Sequence, residues 1–395
     1  MSTLSFGGVL LVATMAFLAP IIADLIPRVR VPSVVLEIIA GVIIGPSGFG
    51  WIRMDTPISV LSLFGLALLL FLAGLEVEIE RFRGRLLWIV LRAFGVSLGL
   101  ALVVGFLFFQ LGLVRSPIFI AIVLAATALG VVTPLLKDAG QSTSTFGQVV
   151  IAAASLADFG TILLLSLFFS REATSAGATL ILLGGFAVLA VMVTFALVRV
   201  GHTTGIGRVL LRLQDTTAQI RVRGAFVLMA AFVALAQALG LEVILGAFTA
   251  GAILRLVDRD QMMTHPQFRQ KLEAVGFGVF IPAFFVASGI QLDLHALFAH
   301  ATTILLVPAF VVALLIVRGI PALLYAPLIG KKHVFSAALL QATSLSFLVT
   351  ASQIGLDLGV VRQSTAAALI AAGVVSVLIF PAIALPAMPV ASQGK

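Results

Sequence analysis

Asp158 is the residue whose type and position most clearly point to chemistry. It lies in the apolar run IAAASLADFGTILLLSLFF, near the middle of the predicted helix 145–169, about twelve residues or roughly 18 Å from either water layer at 1.5 Å per helical residue. A carboxylate at that depth is costly unless it faces a cavity or a partner, and such residues mark functional sites. Because its charged form is disfavoured there, a proton or a small cation stabilises it. Asp158 is therefore predicted to bind Na⁺ or K⁺ and protons in turn, and a hydrogen-bonded packing aspartate is the alternative.

Two further charges fall inside apolar runs. Arg318 lies within LLIVRGIPALLYAP, and it cannot carry protons because a guanidinium keeps its proton in proteins. We expect it to offset the negative C-terminal ends of broken helices, and snorkelling of its side chain towards the cytoplasm is the alternative. Glu37, within VVLEIIAGVIIGPSGFG, lies about one turn inside its run. Its role stays open between a partner of the site, a gate and an interfacial residue.

The composition places these charges in a polytopic membrane protein. Of the 395 residues, 61% are hydrophobic and 10% are charged, and the mean hydropathy is +1.23. Soluble domains carry roughly 25% charged residues, so the composition excludes a soluble protein, a disordered chain and a nucleic-acid binder. Cysteine is absent and the five histidines fall in or beside predicted loops, which argues against disulfides, haem and histidine metal sites. No nucleophile–base pair falls at membrane depth, so we do not expect an enzyme.

Apolar runs and their breakers predict an all-α fold with about thirteen transmembrane helices. Across the alternating loops, 18 of the 24 Lys and Arg residues fall on one side and 4 on the other. The positive-inside rule then places the N-terminus outside and the C-terminus in the cytoplasm. The chain ends seven residues after the last predicted helix, so we expect no soluble regulatory domain. The predicted helices span residues 6–26, 33–50, 57–75, 87–112, 117–136, 145–169, 177–199, 221–240, 243–257, 273–288, 301–326, 333–354 and 361–388.

The fifth and twelfth predicted helices share an unusual motif. LAATALGVVT (Leu124–Thr133) and LQATSLSFLVT (Leu340–Thr350) each carry an Ala-Thr-small-Leu core in mid-helix. The cores are 216 residues and seven helices apart, so the two copies cross the membrane in opposite directions. Such an inverted repeat, with two crossed broken helices, builds ion sites at the midplane of secondary transporters. The alternative is that the small residues only pack helices closely. The polar residues of this region that could support a site are Thr133, Gln341, Thr343 and Ser344.

These features together resemble the bacterial monovalent cation:proton antiporter family, the Kef-type sodium or potassium/proton exchangers. The resemblance covers all thirteen predicted helices, and its motifs are specific by their order and spacing rather than singly. The motifs are Pro32 to Glu37 with Gly41 and Gly45-Pro46, Phe71 to Glu76, Ala126-Thr127 with Leu136, Asp158, Gly246-Ala247-Phe248 with Ala250-Gly251, and Gly289 to Asp293.

The resemblance implies a sodium/proton antiporter-like fold, a homodimer and an elevator movement of a mobile core against a dimerisation scaffold. The core would comprise approximately 87–169 and 301–388, and the scaffold approximately 1–80 and 221–295. A linker helix would span approximately 177–199. All of these would form a single membrane transport domain in the bacterial inner membrane.

The resemblance also assigns site residues. Asp158 matches the ion-binding aspartate of the family, Thr127 the threonine of the first unwound segment, and Arg318 the basic residue of the second half. In this family the residue before the aspartate is usually Asn, Asp or Gln, whereas in this chain it is Ala157. Ser155, one turn before Asp158, is a candidate replacement ligand, and back-bonding to its own helix is the alternative. The second broken helix departs as well, since Ser344-Leu345-Ser346-Phe347 stands where an Arg-Gly-Glu-Phe type segment is common.

The predicted function is exchange of a monovalent cation, with Na⁺ favoured over K⁺, for protons in pH homeostasis. One titratable carboxylate beside a permanently charged arginine binds one proton or one cation, which predicts electroneutral 1:1 exchange. Beyond the transported ions we expect no cofactor, and the expected surroundings are the lipid bilayer and a second copy of the chain. The alternative functions are a sodium-coupled symporter of an organic anion on the same fold, and a channel-like or sensory protein without coupled transport.

Overall fold

The computed structural model describes residues 6–25, 32–76, 84–169, 176–203, 219–257 and 266–389. These residues form helices and connecting turns and contain no strand. The α-helices are α1 (Phe6–Leu25), α2 (Ser33–Ile44), α3 (Thr56–Leu75), α4 (Gly84–Gln110), α5 (Pro117–Leu124), α6 (Leu129–Asp138), α7 (Thr145–Phe168), α8 (Ala176–Thr203), α9 (Ile220–Ala238), α10 (Val243–Val257), α11 (Pro266–Val275), α12 (Ile281–Gln291), α13 (Leu294–Phe298), α14 (Ala301–Leu314), α15 (Ala326–Ile329), α16 (Val334–Ala342), α17 (Ser346–Asp357) and α18 (Gln363–Ala384).

Ten helical stretches of the described chain are long and apolar enough to cross a membrane. Three shorter apolar helices accompany them, and these begin at Ser33, Pro117 and Val243. Each of the thirteen overlaps a predicted transmembrane segment, because the length and purity of the apolar runs that a bilayer requires are visible in the sequence. The predicted helix 33–50 is shorter than expected, since α2 ends at Ile44 and the chain turns at Gly45 and Pro46. The prediction of an all-α, multi-pass membrane protein is confirmed.

Both motif-bearing segments are broken in the middle. The chain leaves the helix after Leu124 and re-enters it at Leu129, and the second break separates Ala342 from Ser346. The two breaks meet, because the backbone N–H of Ala128 donates a hydrogen bond of 2.8 Å to the carbonyl oxygen of Thr343. Helix ends leave backbone groups without intrahelical partners, and within a membrane such groups must be satisfied by protein. The crossing of the two breaks supplies part of this pairing.

The tenth predicted helix, 273–288, begins earlier and ends later than expected. A continuous helical stretch runs from Pro266 through α11, a π-helical turn at Gly276–Phe280 and α12 to Gln291. Its first turns are polar, and Arg269 Nε donates to Glu273 Oε1 at 2.6 Å across one turn. Such i, i+4 pairs stabilise a helix that apolar periodicity alone does not reveal.

A second irregular stretch follows α14. The chain continues as a π-helical turn (Leu315–Gly319) and then as a 3₁₀-helix (Ile320–Tyr325) before α15. Pro321 stands at the start of the 3₁₀-helix and has no N–H to donate, which disfavours a regular α-helix here. Arg318 lies within the π turn, and π turns occur often at functional sites.

The described residues pack as two compact units. One unit comprises the described parts of 1–16, 55–77 and 162–285. Within it α3 and α10 touch backbone to backbone, since a Cβ at Gly74 would lie 2.1 Å from the carbonyl oxygen of Phe248.

The other unit comprises the described parts of 17–54, 78–161 and 286–395. Within it α2 packs equally closely on the last turns of α12, and a Cβ at Gly41 would lie 2.0 Å from the carbonyl oxygen of Val286. This unit contains both broken helices, which are α5 with α6 and α16 with α17. It also contains α4, α14 and the part of α7 up to Thr161. The division into a mobile core and a dimerisation scaffold stays a prediction.

Candidate functional site

Arg318 is held at the centre of a polar cluster inside the second unit. Its side chain is 1% exposed and points into the protein, so it does not snorkel towards water. Its Nε donates to Thr127 Oγ1 at 2.8 Å and its Nη1 donates to Ser97 Oγ at 3.4 Å. Its Nη2 donates to the side-chain oxygen of Gln341. One guanidinium thus receives oxygens from three parts of the chain, namely α4, the first break and α16. Its planar fork suits several partners at once.

Thr127 and Gln341 join the two breaks around this arginine. The Thr127 hydroxyl donates to the carbonyl oxygen of Gln341 at 2.7 Å, so it is engaged on both its donor and acceptor sides. Gln341 Nε2 donates to the carbonyl oxygen of Val150 at 2.8 Å, which links α16 to the helix that carries Asp158. Thr127 follows the end of α5 and Gln341 lies in the last turn of α16. The guanidinium therefore sits at the C-terminal ends of two half-helices, whose dipoles favour a positive charge.

Asp158 lies at the opposite kind of helix end. The backbone N–H of Leu129, the first residue of α6, donates to its Oδ2 at 3.4 Å. The positive end of the α6 dipole thus faces the carboxylate and favours its anionic form. The carboxylate also interacts electrostatically with Arg318. The residue as a whole is half-buried, unlike its neighbour Ala157, although its Oδ1 atom is buried. The negative charge of this side chain is therefore supported from within the protein, by the start of α6 and by Arg318.

The remaining predicted site residues are distributed unevenly around this centre. Ser155 is buried one turn before Asp158 on α7. The Thr343 hydroxyl donates to the carbonyl oxygen of Leu339 at 3.0 Å, so its own helix occupies it. Within the described chain, the buried hydroxyl oxygens of Thr133 and Ser344 have no hydrogen-bond partner. These two hydroxyls are thus available to a bound ion.

Glu37 lies apart from the arginine cluster. It is 4% exposed on α2, and it is not among the three residues that accept hydrogen bonds from Arg318. The structure therefore gives Glu37 no direct part in holding the guanidinium.

Several residues of the cluster were not predicted from the sequence. Ser97 is the one hydroxyl residue of α4, and Ser376 lies in the apolar second half of α18, beyond Ser364 and Thr365 in its first turn. Thr161 donates to backbone oxygens of its own helix, among them that of Asp158 at 3.0 Å. An isolated hydroxyl in an apolar helix was the available signal, because such residues often bond across helices in membranes. That signal does not say which helices meet.

The site offers one carboxylate with neutral oxygens rather than a multidentate metal centre. Among the described residues, no three or more His, Asp or Glu side chains come together. The oxygens available to an ion are the Asp158 carboxylate and nearby hydroxyls, which are hard ligands of the type that unpolarisable cations prefer. The chemistry that fits is reversible binding of a singly charged ion.

Comparison with known proteins places this geometry in a family. Residues 13–388 match the model of the family described as sodium/hydrogen exchanger, transmembrane. A protein named putative Na⁺/H⁺ antiporter YjbQ, from Bacillus subtilis, is 30% identical over 96% of this chain, and the match covers 63% of that relative. A probable Na⁺/H⁺ antiporter 3 from Methanocaldococcus jannaschii is 28% identical over 91% of this chain and 92% of its own length.

The fold is likewise shared with a solved structure. The sodium proton antiporter MjNhaP1 from Methanocaldococcus jannaschii superposes with a TM-score of 0.67 over 97% of this chain and 95% of its own. The two sequences are 18% identical, so this likeness concerns the fold. The predicted antiporter-like fold with its crossed broken helices is confirmed.

Proposed function

Because the chain belongs to the transmembrane sodium/hydrogen exchanger family, we propose that it exchanges Na⁺ for protons, with Asp158 binding either ion in turn. The family is one of transporters, so the prediction that the chain is not an enzyme is confirmed. The activity itself is proposed for this chain, which spans 63% of the length of its Bacillus subtilis relative.

The observation that carries the proposal is the contrast between Arg318 and Asp158, the two charged residues of the site. Arg318 is enclosed by three oxygen acceptors and keeps its proton. Asp158 is partly exposed and faces the N-terminal end of α6, where its ionised form is favoured. Only the carboxylate can therefore change its occupancy during a cycle. The carboxylate carries Na⁺ across the membrane in one direction and a proton in the other.

This contrast supports electroneutral exchange. With Na⁺ or with H⁺ on Asp158, the pair formed with Arg318 has the same net charge. The carrier therefore crosses with equal charge in both directions, and one Na⁺ moves for each proton. Because Na⁺ and H⁺ compete for one carboxylate, a rise in pH lowers the apparent KM for Na⁺. We favour Na⁺ over K⁺ because the available ligands are a carboxylate and small hydroxyls.

An elevator-type movement is consistent with the way the site is bound together. The Ala128–Thr343 backbone bond links the two breaks, and Gln341 links them to α7 and to Arg318. A bound ion would therefore travel with these segments as one body. We propose that this body moves against a scaffold within a homodimer in the bacterial inner membrane, with the N-terminus outside and the C-terminus in the cytoplasm. Beyond the transported Na⁺ (or K⁺) and protons, no cofactor is proposed.

The test is transport in proteoliposomes that carry an imposed proton gradient and a pH-sensitive dye. Wild-type protein and Asp158→Asn are challenged in turn with Na⁺, Li⁺ and K⁺. Asp357→Asn is the matched control, since it removes an exposed carboxylate at the end of α17. We expect Na⁺ to dissipate the gradient in the wild type and in the control but not in Asp158→Asn.

Two outcomes contradict the proposal. Unchanged exchange in Asp158→Asn would remove this residue from the site. Absence of any response to the three cations in the wild type would favour sodium-coupled symport of an organic anion, which does not move protons when that substrate is missing.

A further inference from the structure

Ser344 combines a backbone held by Ser376 with a hydroxyl that no group in the described part of the chain uses. It lies in the second break, between α16 and α17, and is fully buried. Its Oγ has no hydrogen-bond partner among the described residues. Buried hydroxyls are nearly always paired, so an unpaired one requires an explanation, and at a helix break beside a charged site a bound ion is one.

Ser376 fixes the backbone of this residue. Its Oγ accepts a hydrogen bond from the Ser344 N–H at 3.1 Å and lies 2.9 Å from the Ser344 carbonyl oxygen. The same oxygen is 2.8 Å from the carbonyl of Gly373, one turn earlier on α18. A Cβ at Gly373 would lie 3.0 Å from the Ser344 carbonyl oxygen, so the glycine allows α18 to approach the break. The Ser344 N–H is thereby occupied, its carbonyl oxygen shares the single hydroxyl proton of Ser376 with that of Gly373, and its side chain has no partner among the described residues.

The first break links the backbone next to Ser344 to Asp158. The N–H of Ala128 donates to the carbonyl oxygen of Thr343, and the next N–H, of Leu129, donates to Asp158. Two consecutive peptide groups, with Cα atoms about 3.8 Å apart, thus contact the residue before Ser344 and the carboxylate. Ser344 therefore directly follows the residue that contacts the same short stretch of backbone as Asp158.

We propose that the Ser344 hydroxyl is a ligand of the transported cation beside Asp158, and that Ser376 is the positioning residue that aims it. The inference rests on the proposed antiport and names a second oxygen of the same site. A hydroxyl supplies a neutral, hard ligand without adding a titratable charge, so the one-for-one exchange is preserved. A proton on Asp158 needs no such ligand, so the hydroxyl strengthens binding of the cation relative to binding of the proton.

The test is direct Na⁺ binding to the purified protein in detergent, measured by calorimetric titration at several pH values. We expect Ser344→Ala to weaken Na⁺ binding about tenfold, equivalent to about 1.4 kcal/mol, and Ser376→Ala to weaken it by a smaller factor. Protons compete with Na⁺ for Asp158, so Na⁺ binding falls as the pH falls. In Ser344→Ala this pH dependence should differ from that of the wild type only by the lower affinity for Na⁺. Ser336→Ala and Ser352→Ala are matched controls, because each removes a buried hydroxyl without a partner on the same broken helix, outside the break.

The outcomes separate the inference from the function on which it rests. Wild-type affinity in Ser344→Ala, together with loss of binding in Asp158→Asn, would overturn the inference and leave the antiporter standing. Equal losses in Ser336→Ala and Ser352→Ala would also overturn it, since they would show a general effect of removing buried hydroxyls. Retained Na⁺ binding in Asp158→Asn would overturn both. If Ser376→Ala does not fold, Ser344→Ala decides alone, because that change removes no hydrogen bond between protein groups.

Discussion

Replacement of Gln341 by leucine should loosen the whole arginine cluster while leaving every charge in place. Leucine is of similar size, but it removes the acceptor for Arg318 and the donor to the carbonyl oxygen of Val150. A hydrogen bond to a charged group contributes about 1.5–3 kcal/mol, and a neutral one contributes about 0.5–1.5 kcal/mol. We therefore expect Gln341→Leu to lower the free energy of unfolding by about 2–4 kcal/mol, with a reduced maximal exchange rate.

Gln353→Leu is the matched control for this change. The Gln353 side chain makes one neutral hydrogen bond, from Nε2 to Ser288 Oγ at 3.0 Å, and it lies on the other half of the same broken helix. Its loss should cost about 0.5–1.5 kcal/mol. Both variants are compared with the wild type by chemical unfolding in detergent micelles and by exchange in proteoliposomes. Equal losses in the two variants would refute the reasoning, because they would show that the bond to the guanidinium has no special weight.

Two further predictions concern charge and close packing. Arg318→Lys should make exchange respond to an imposed membrane potential, because a buried lysine can release its proton while an arginine cannot, and flux measured under a potassium–valinomycin clamp checks this. Potential-independent flux in that variant would show that the arginine's fixed charge does not set the stoichiometry. Gly251→Ala should lower thermal stability in detergent, since its Cβ would lie 2.0 Å from the carbonyl oxygen of Phe71, whereas Gly95→Ala, with open space around it, should not. Equal melting temperatures for the two alanine variants would contradict the close contact of α3 with α10.

The membrane fold could be predicted from the sequence because its strongest constraint is local. Each crossing must bury its backbone within an apolar run of sufficient length, and such runs and their breakers can be read along the chain. The breaks near Thr127 and Thr343 were visible for a related reason, since the same small and hydroxyl residues recur at an odd helix offset. The extra turns before Glu273 were not visible, because charged pairs rather than apolar periodicity stabilise them.

The site could be predicted only in part. The depth of Asp158 and Arg318 in apolar runs marked them as candidates, because an isolated charge there has few structural uses. The partners of Arg318 could not be derived, since Ser97 and Gln341 come from segments far apart in sequence and meet only through the packing of α4 and α16. Ser376 was missed for the same reason. The roles of all these residues in ion binding stay predictions, as do the orientation in the membrane and the core–scaffold division.

The π turn that carries Arg318 has a consequence for how this chain is aligned and engineered. A π turn holds one residue more than an α turn over a similar rise, so the segment Leu315–Gly319 behaves as a one-residue insertion. Deletion of Ile316 would restore a regular α-helix with its two ends in phase, but it would turn residues inside the former π turn around the helix axis by up to about 100°. The arginine would then leave its acceptors although no contact residue had been changed. In an alignment, relatives with a regular helix here would need a one-residue gap opposite this turn. Without that gap, the position aligned with Arg318 would be wrong by one residue.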